Sequence, residues 1–166
     1  MDHIGFVVSV GGNCKELGKP NTKRRGTTLP CFDDVELGDE IGPLKTEATD
    51  DSVLAFCQVW KDRLPNRFTD RETAEKEGLP GPIVPGIMAL ALMTRLLTEW
   101  AGPASLKDLD VIFRQPVPHQ QPLTISGTVT DTRREKTENL VECDVMMTGA
   151  QDERYVSGKA IVALPS

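Results

Sequence analysis

Histidine is scarce in this chain: His3 and His119 are the two among 166 residues. A histidine-rich metal site is therefore excluded, and the cysteines do not replace it. Cys14, Cys31, Cys57 and Cys143 stand far apart, without the paired spacing of a metal site, and read as reduced thiols of a cytoplasmic protein. Long apolar runs are also missing. The longest, Ile87 to Met93, has seven residues, far short of the roughly 20 that cross a bilayer as a helix. The N-terminal stretch "MDHIGFVVSVGG" carries Asp2 and His3 where a secretory signal has positive charge, so it is not read as one. Positive charge is the minority sign. There are 19 Lys and Arg against 25 Asp and Glu, a net charge of −6, which disfavours binding by general neutralisation of nucleic-acid phosphates. Neither nucleic acid nor membrane is expected as a partner.

The length fits one domain, with 39% hydrophobic and 27% charged residues. Residues 1–31 form an N-terminal extension, with a short strand possible at "GFVVSV", a loop at "GGNCKELGKPNTKRRGTT" and a small basic run, Lys23, Arg24 and Arg25. Residues 32–166 form the domain. "FDDVELGDEIGPLKTEAT" reads as extended chain turning at Gly38 and Gly42. Thr49, Asp50 and Asp51 offer helix caps, and Val53, Phe56, Cys57 and Trp60 follow on one apolar face. Trp60 and Trp100 read as core. After the polar loop "KDRLPNRF", Thr69 and Glu72 match a capping box for a short helix that Gly78 ends. Three prolines then stiffen "LPGPIVPG". Gly86 opens a helix that is apolar nearly all round, so burial on most faces is expected, with Ala89 and Ala91 allowing close approach to a sheet. The last third alternates with period two in four segments: "LDVIFRQPV", "LTISGTVTDTRRE", "LVECDVMMTG" and "RYVSGKAIVAL". The pattern is α+β, an antiparallel sheet around a long central helix.

The stretch "RLPNRFTDRETAEKEGLPGPIVPGIMALALM", Arg63 to Met93, is laid out like a catalytic loop, a short helix, a turn and a buried helix, yet it holds no histidine, serine or cysteine. With "FDDVELGDEI" before it and "LDVIFRQPV" after it, this order resembles the hotdog fold and, within it, the MaoC-like dehydratase family that includes the R-specific enoyl-CoA hydratases. The resemblance spans about Phe32 to Val162 and implies a dimer acting on acyl thioesters of CoA or a carrier protein, with no cofactor or metal. In that family a D-x-N-P-x-H motif holds a water and shuttles protons, and a turn ending A-H-G supplies a glycine amide to the thioester carbonyl. Here the chemical positions differ. Anchored on Thr69 and Asp70, Phe68 stands at the histidine and Arg63 at the aspartate; anchored on Asp62, Arg67 stands at the histidine. Pro85 replaces the histidine of the turn, and the later P-G-D-x-L turn reads "HQQPL".

Gly86 survives, at a helix start that offers unpaired N–H groups to a carbonyl oxygen becoming an enolate. The expected pocket comprises Asn66, Arg67, Phe68, Pro85, Ile87 and Met88 around it. Phe68 cannot move a proton, and Arg67 stays charged. Asp62 and Asp70 are the remaining carboxylates that could act as catalytic groups. Lys61, Arg63, Arg67 and Arg71 could meet CoA phosphates, or simply form a solvated mixed-charge surface. His119, in a proline-rich turn, reads as a surface histidine. Three functions follow. The chain is a non-catalytic binding or partner subunit, in a homodimer or a heterodimer with a related hotdog chain. Or it is an enzyme of altered chemistry (isomerase, cyclase or hydro-lyase) using Gly86 and a loop carboxylate. Or it is a hydratase rescued by Asp62 or Asp70.

Overall fold

The computed structural model describes residues 29–166. The expected strand at "GFVVSV", the loop after it, the Lys23–Arg25 run, His3 and Cys14 lie outside the described residues. After a 3-10 turn at Phe32–Asp34 the order is β1 (Glu40–Glu47), α1 (Asp50–Trp60), α2 (Arg71–Lys76), α3 (Gly86–Ala101), β2 (Leu106–Phe113), β3 (Pro122–Arg134), β4 (Asn139–Thr148) and β5 (Arg154–Leu164). The strands form one antiparallel sheet in the order β1-β3-β4-β5-β2.

Side-chain alternation decides which face of that sheet is covered. Leu123, Ile125 and Val129 of β3, Val141, Cys143, Val145 and Met147 of β4, and Val156, Ala160 and Val162 of β5 are all buried. They pack with Ala89, Met93, Leu96, Leu97 and Ala101 of α3 in one cluster, and α3 touches every strand. Each large side chain buried this way contributes roughly 1.5–3 kcal/mol. The central helix thus threads the concave side of the sheet.

Four expectations need correction. α3 is not buried on most faces: Ile87, Ala91, Arg95 and Glu99 are exposed at a four-residue spacing, because the sheet covers one side only. Ala89 makes the close approach and Ala91 does not. Trp60 is 59% exposed, at the last turn of α1, where it stacks on Phe56 with centroids 6.0 Å apart; only Val53 and Cys57 of that helix face are buried. The capping box fails as well. Asp70, not Thr69, caps α2, because its carboxylate accepts from the Thr73 N–H at 2.8 Å and the Thr73 hydroxyl at 2.6 Å. Finally, Cys57 and Cys143 are free and buried, but Cys31 is disulfide-bonded, which weakens the argument for a reducing compartment; distance along the chain says nothing about approach in space. The Thr49 cap of α1 and the Gly78 stop after α2 are as expected. Among the described residues no helix is long and apolar enough to cross a membrane.

Candidate functional site

The 61–70 loop is built from its own backbone and from Asn66. The Asn66 Oδ1 accepts from the Phe68 N–H at 3.0 Å, its Nδ2 donates to Arg63 O at 3.1 Å, and the Thr69 and Asp70 N–H groups return to Asn66 O. Asn66, expected to line a pocket, instead spends its polar atoms shaping the loop. The loop is then tied to the turn before α3 by the Ile83 N–H, which donates to Arg67 O at 3.3 Å. This bond brings the degenerate motif beside the start of α3, as the sequence order implied.

At that start, Pro85 is an N-cap without a side-chain bond. The Met88 and Ala89 N–H groups return to Pro85 O at 2.9 and 3.0 Å. Among the described residues, no hydrogen bond uses the N–H of Gly86 or Ile87. Two donors at the positive end of a 16-residue helix are therefore open to an oxygen. Gly86 is exposed, and a Cβ there would meet the Phe113 ring at 3.5 Å, an ordinary contact. Neither crowding nor backbone conformation demands a glycine here, and any residue but proline would offer the same amide. Around it stand Met88, partly buried against the core, and the exposed Ile87 and Phe113 (49%).

The expected proton-transfer groups are engaged elsewhere. Asp70 caps α2, and the Thr73 hydroxyl and N–H hold its carboxyl below the usual carboxylate range, the opposite of what a general acid needs. Asp62 stands beside Cys57, whose thiol is pushed up by burial and by the negative charge of Asp62. Arg67 is paired with Glu77 at 3.1 Å and lies over the Phe68 ring; Phe68 itself packs partly against the core. Of the four expected phosphate-binding cations, Arg67 and Arg71 have carboxylate partners, Arg71 with Glu75 at 3.4 Å. Lys61 and Arg63 are exposed.

A cleft of about 820 Å³ opens between the start of α1, the turn at residues 80–83 and the 116–121 loop; Thr69 and Arg71 reach it, while Gly86, Arg67 and Phe68 do not. His119 lines it, and here the surface reading is wrong: its imidazole is 8% exposed and bonded to Asp50. No periodicity links two residues 69 apart, so the pair left no signal in the sequence. Among the described residues, no cluster of three or more His, Cys, Asp or Glu could hold a metal.

One antiparallel sheet wrapped on a central helix defines the hotdog fold. A MaoC-like domain model matches residues 49–151, from the cap of α1 to the turn after β4, and the chain belongs to that family. Among solved structures it is similar to the (R)-hydratase from A. caviae involved in PHA biosynthesis, with a TM-score of 0.69 and 22% identity over 79% of this chain and 98% of that one. It is also similar to the ChsH1–ChsH2 complex from Mycobacterium tuberculosis (0.68, 20% identity, 78% and 98% covered). The R-hydratase PhaJ1 from Pseudomonas aeruginosa matches with 0.72 and 19% identity over 82% and 86%. Comparison with curated protein sequences gives no match.

Proposed function

We propose that this chain is a binding subunit of a hotdog assembly, which holds an acyl thioester at the α3 N-terminus and does not itself hydrate it. The observation that carries this reading is a mismatch. The Gly86 and Ile87 amides are open, while neither register of the motif supplies a histidine: Phe68, with Arg63 at its partner position, packs partly against the core, and Arg67 is paired with Glu77. Of the loop carboxylates, Asp70 caps α2 and Asp62 stands beside the buried Cys57. An oxyanion donor without an adjacent acid–base pair can bind a thioester carbonyl but cannot activate water for addition. The exposed Phe113 beside Gly86 belongs to the edge strand β2, and Ile87 next to Gly86 is exposed as well. That position supports closure of the site by a second chain, either a copy or a related hotdog subunit carrying its own dyad. The ChsH1–ChsH2 complex is a two-chain precedent at the level of the fold.

The test removes the amide and leaves the helix. Pro85 has φ −55° and ψ 135°, which suits a following proline, and the first helical position favours one. Gly86→Pro should therefore keep the circular dichroism of the parent and weaken crotonyl-CoA binding, measured by calorimetry, by about threefold to tenfold, the loss of one hydrogen bond to a neutral carbonyl oxygen. Unchanged affinity would remove the amide from the site.

A further inference from the structure

The 116–121 loop is fastened to the turn that opens α3: Pro118 bridges Ile83, and the Val84 N–H donates to Val117 O at 2.8 Å. Its other end is fastened to α1. The His119 Nδ1 lies 2.8 Å from the Asp50 Oδ1, Gln120 Nε2 donates to the Asp50 Oδ2 at 2.6 Å, and the Gln120 N–H donates to Ala48 O at 2.9 Å. Gln120 adopts φ +52°, a left-handed conformation uncommon outside glycine that persists where the surroundings enforce it.

A carboxylate only accepts, so the His119 Nδ1 carries the hydrogen, and in the neutral ring Nε2 keeps a bare lone pair. That Nε2 is buried and has no hydrogen-bond partner. A loop staple alone does not require such a ring: the Gln120 bonds already make the connection, and the imidazole adds an unsatisfied acceptor, which folded proteins rarely leave buried. His119 and Asp50 line the 820 Å³ cleft with Thr69, Arg71 and Tyr155, a volume that suits a small-molecule ligand. Nε2 itself is buried, so contact with a ligand requires the His119 side chain or its cover to move.

We propose that His119 is a proton-transfer base, positioned by Asp50, that moves a proton from Cα to Cγ of a β,γ-unsaturated acyl thioester seated in this cleft. This rests on the thioester-binding reading above for its ligand class but on a separate place in the fold, since Gly86 does not line this cleft, and it gives the chain an activity other than hydration. Hydration requires a placed water together with a base and an acid. A proton shift requires one group that takes a proton and returns it, which a single oriented imidazole can do. Nε2 takes a proton from Cα of a β,γ-unsaturated thioester, and the C–H electron pair enters the conjugated enolate. Asp50 stabilises the imidazolium through Nδ1–H, and Arg71, a cation in the cleft lining, faces the enolate charge. Nε2–H then returns the proton to Cγ, and the double bond moves into conjugation. Nothing is oxidised or reduced, and water is neither gained nor lost.

The probe is vinylacetyl-CoA, followed by proton NMR in D2O with the full chain, alongside calorimetry with the same thioester. The expected result is conversion to crotonyl-CoA above the buffer rate. His119→Gln should slow conversion by about 100-fold or more while affinity is kept, and added imidazole should restore part of the rate to His119→Ala. Asp50→Asn should lower kcat and leave KM in place, which loss of a mere loop staple would not do selectively. Arg71→Gln, an exposed substitution, provides a second slowed variant if the histidine variants do not fold. Binding without conversion by the parent, or conversion undiminished in His119→Gln, overturns this proposal and leaves the binding reading intact. Absence of binding overturns both.

Discussion

Asp70 separates two jobs a carboxylate can have. As the cap of α2 it must be ionised to accept from Thr73, and its carboxyl is held below the ordinary value of 3.8 by those two bonds. A depressed carboxyl contributes stability that is present above its unfolded value and lost as pH falls through the lower, folded value. Asp70→Asn keeps a good capping residue but not this titration. The expected outcome is a parent that melts above the variant at neutral pH, with the two melting temperatures converging below pH 3.8; a constant gap would show that the carboxylate charge contributes nothing. Residue-scale function was the least legible part of the sequence. The loss of a histidine at the motif could be read directly, because it is a matter of identity. The burial of His119 could not, because it depends on Asp50, 69 residues away. Trp60 misled for a related reason: the apolar spacing of α1 continues to its last turn, but the core beneath the helix ends at Cys57.

At the scale of elements, alternation served well wherever a strand has one covered face. β3, β4 and β5 begin and end within a residue of their patterned segments. β2 starts three residues before its apolar run, at Leu106, since Lys107, Asp108 and Asp110 belong to an edge strand whose charges face water and obscure the period. β1 was hidden differently. Gly42 sits at a register shift between Ile41 and Leu44 with φ +92°, and Pro43 follows inside the strand; both residues read as a turn when seen in sequence alone. Gly158 of β5 looked like one more member of an alternating row. In the fold, a Cβ there would lie 2.1 Å from the Asp110 carbonyl oxygen and 2.8 Å from the Val111 Cα, so β2 can pair with β5 only over a glycine. Gly158→Ala should destabilise the chain by at least about 1–3 kcal/mol in urea unfolding, as overpacking against backbone does, with hydrogen exchange accelerated first in β2. A stability within 0.5 kcal/mol of the parent, the range of an ordinary surface change, would contradict this packing.

The whole molecule leaves one region uncovered that matters for its reading. The sheet ends at β2, where Ile112 and Phe113 are exposed, and the Phe113 ring lies against Gly86 at the start of α3. An open apolar edge invites pairing with another strand. The architecture, a sheet wrapped on one helix, was legible in the order and period of the segments; the proposed covering of this edge by a second chain leaves no period to read. Phe113→Glu should shift sedimentation at micromolar concentration from a dimer to a monomer and lower crotonyl-CoA affinity in parallel. A parent that is monomeric at every concentration, alone and with a dyad-bearing MaoC-like chain, would remove assembly from the account.

In the proposed reading, this MaoC-like chain keeps an amide that holds a thioester and lacks the hydration machinery beside it. The most direct measurement is crotonyl-CoA hydration by the purified chain, by Phe68→His and by Arg67→His, followed as loss of the conjugated thioester absorbance, with binding recorded in the same samples. The account predicts binding without hydration in the parent, no recovery in Phe68→His, whose nearest aligned partner is Arg63, and recovery, if it occurs in either variant, in Arg67→His, which restores a histidine in the register set by Asp62. A parent turnover near 10 per second, typical of an enzyme on its own substrate, would contradict it.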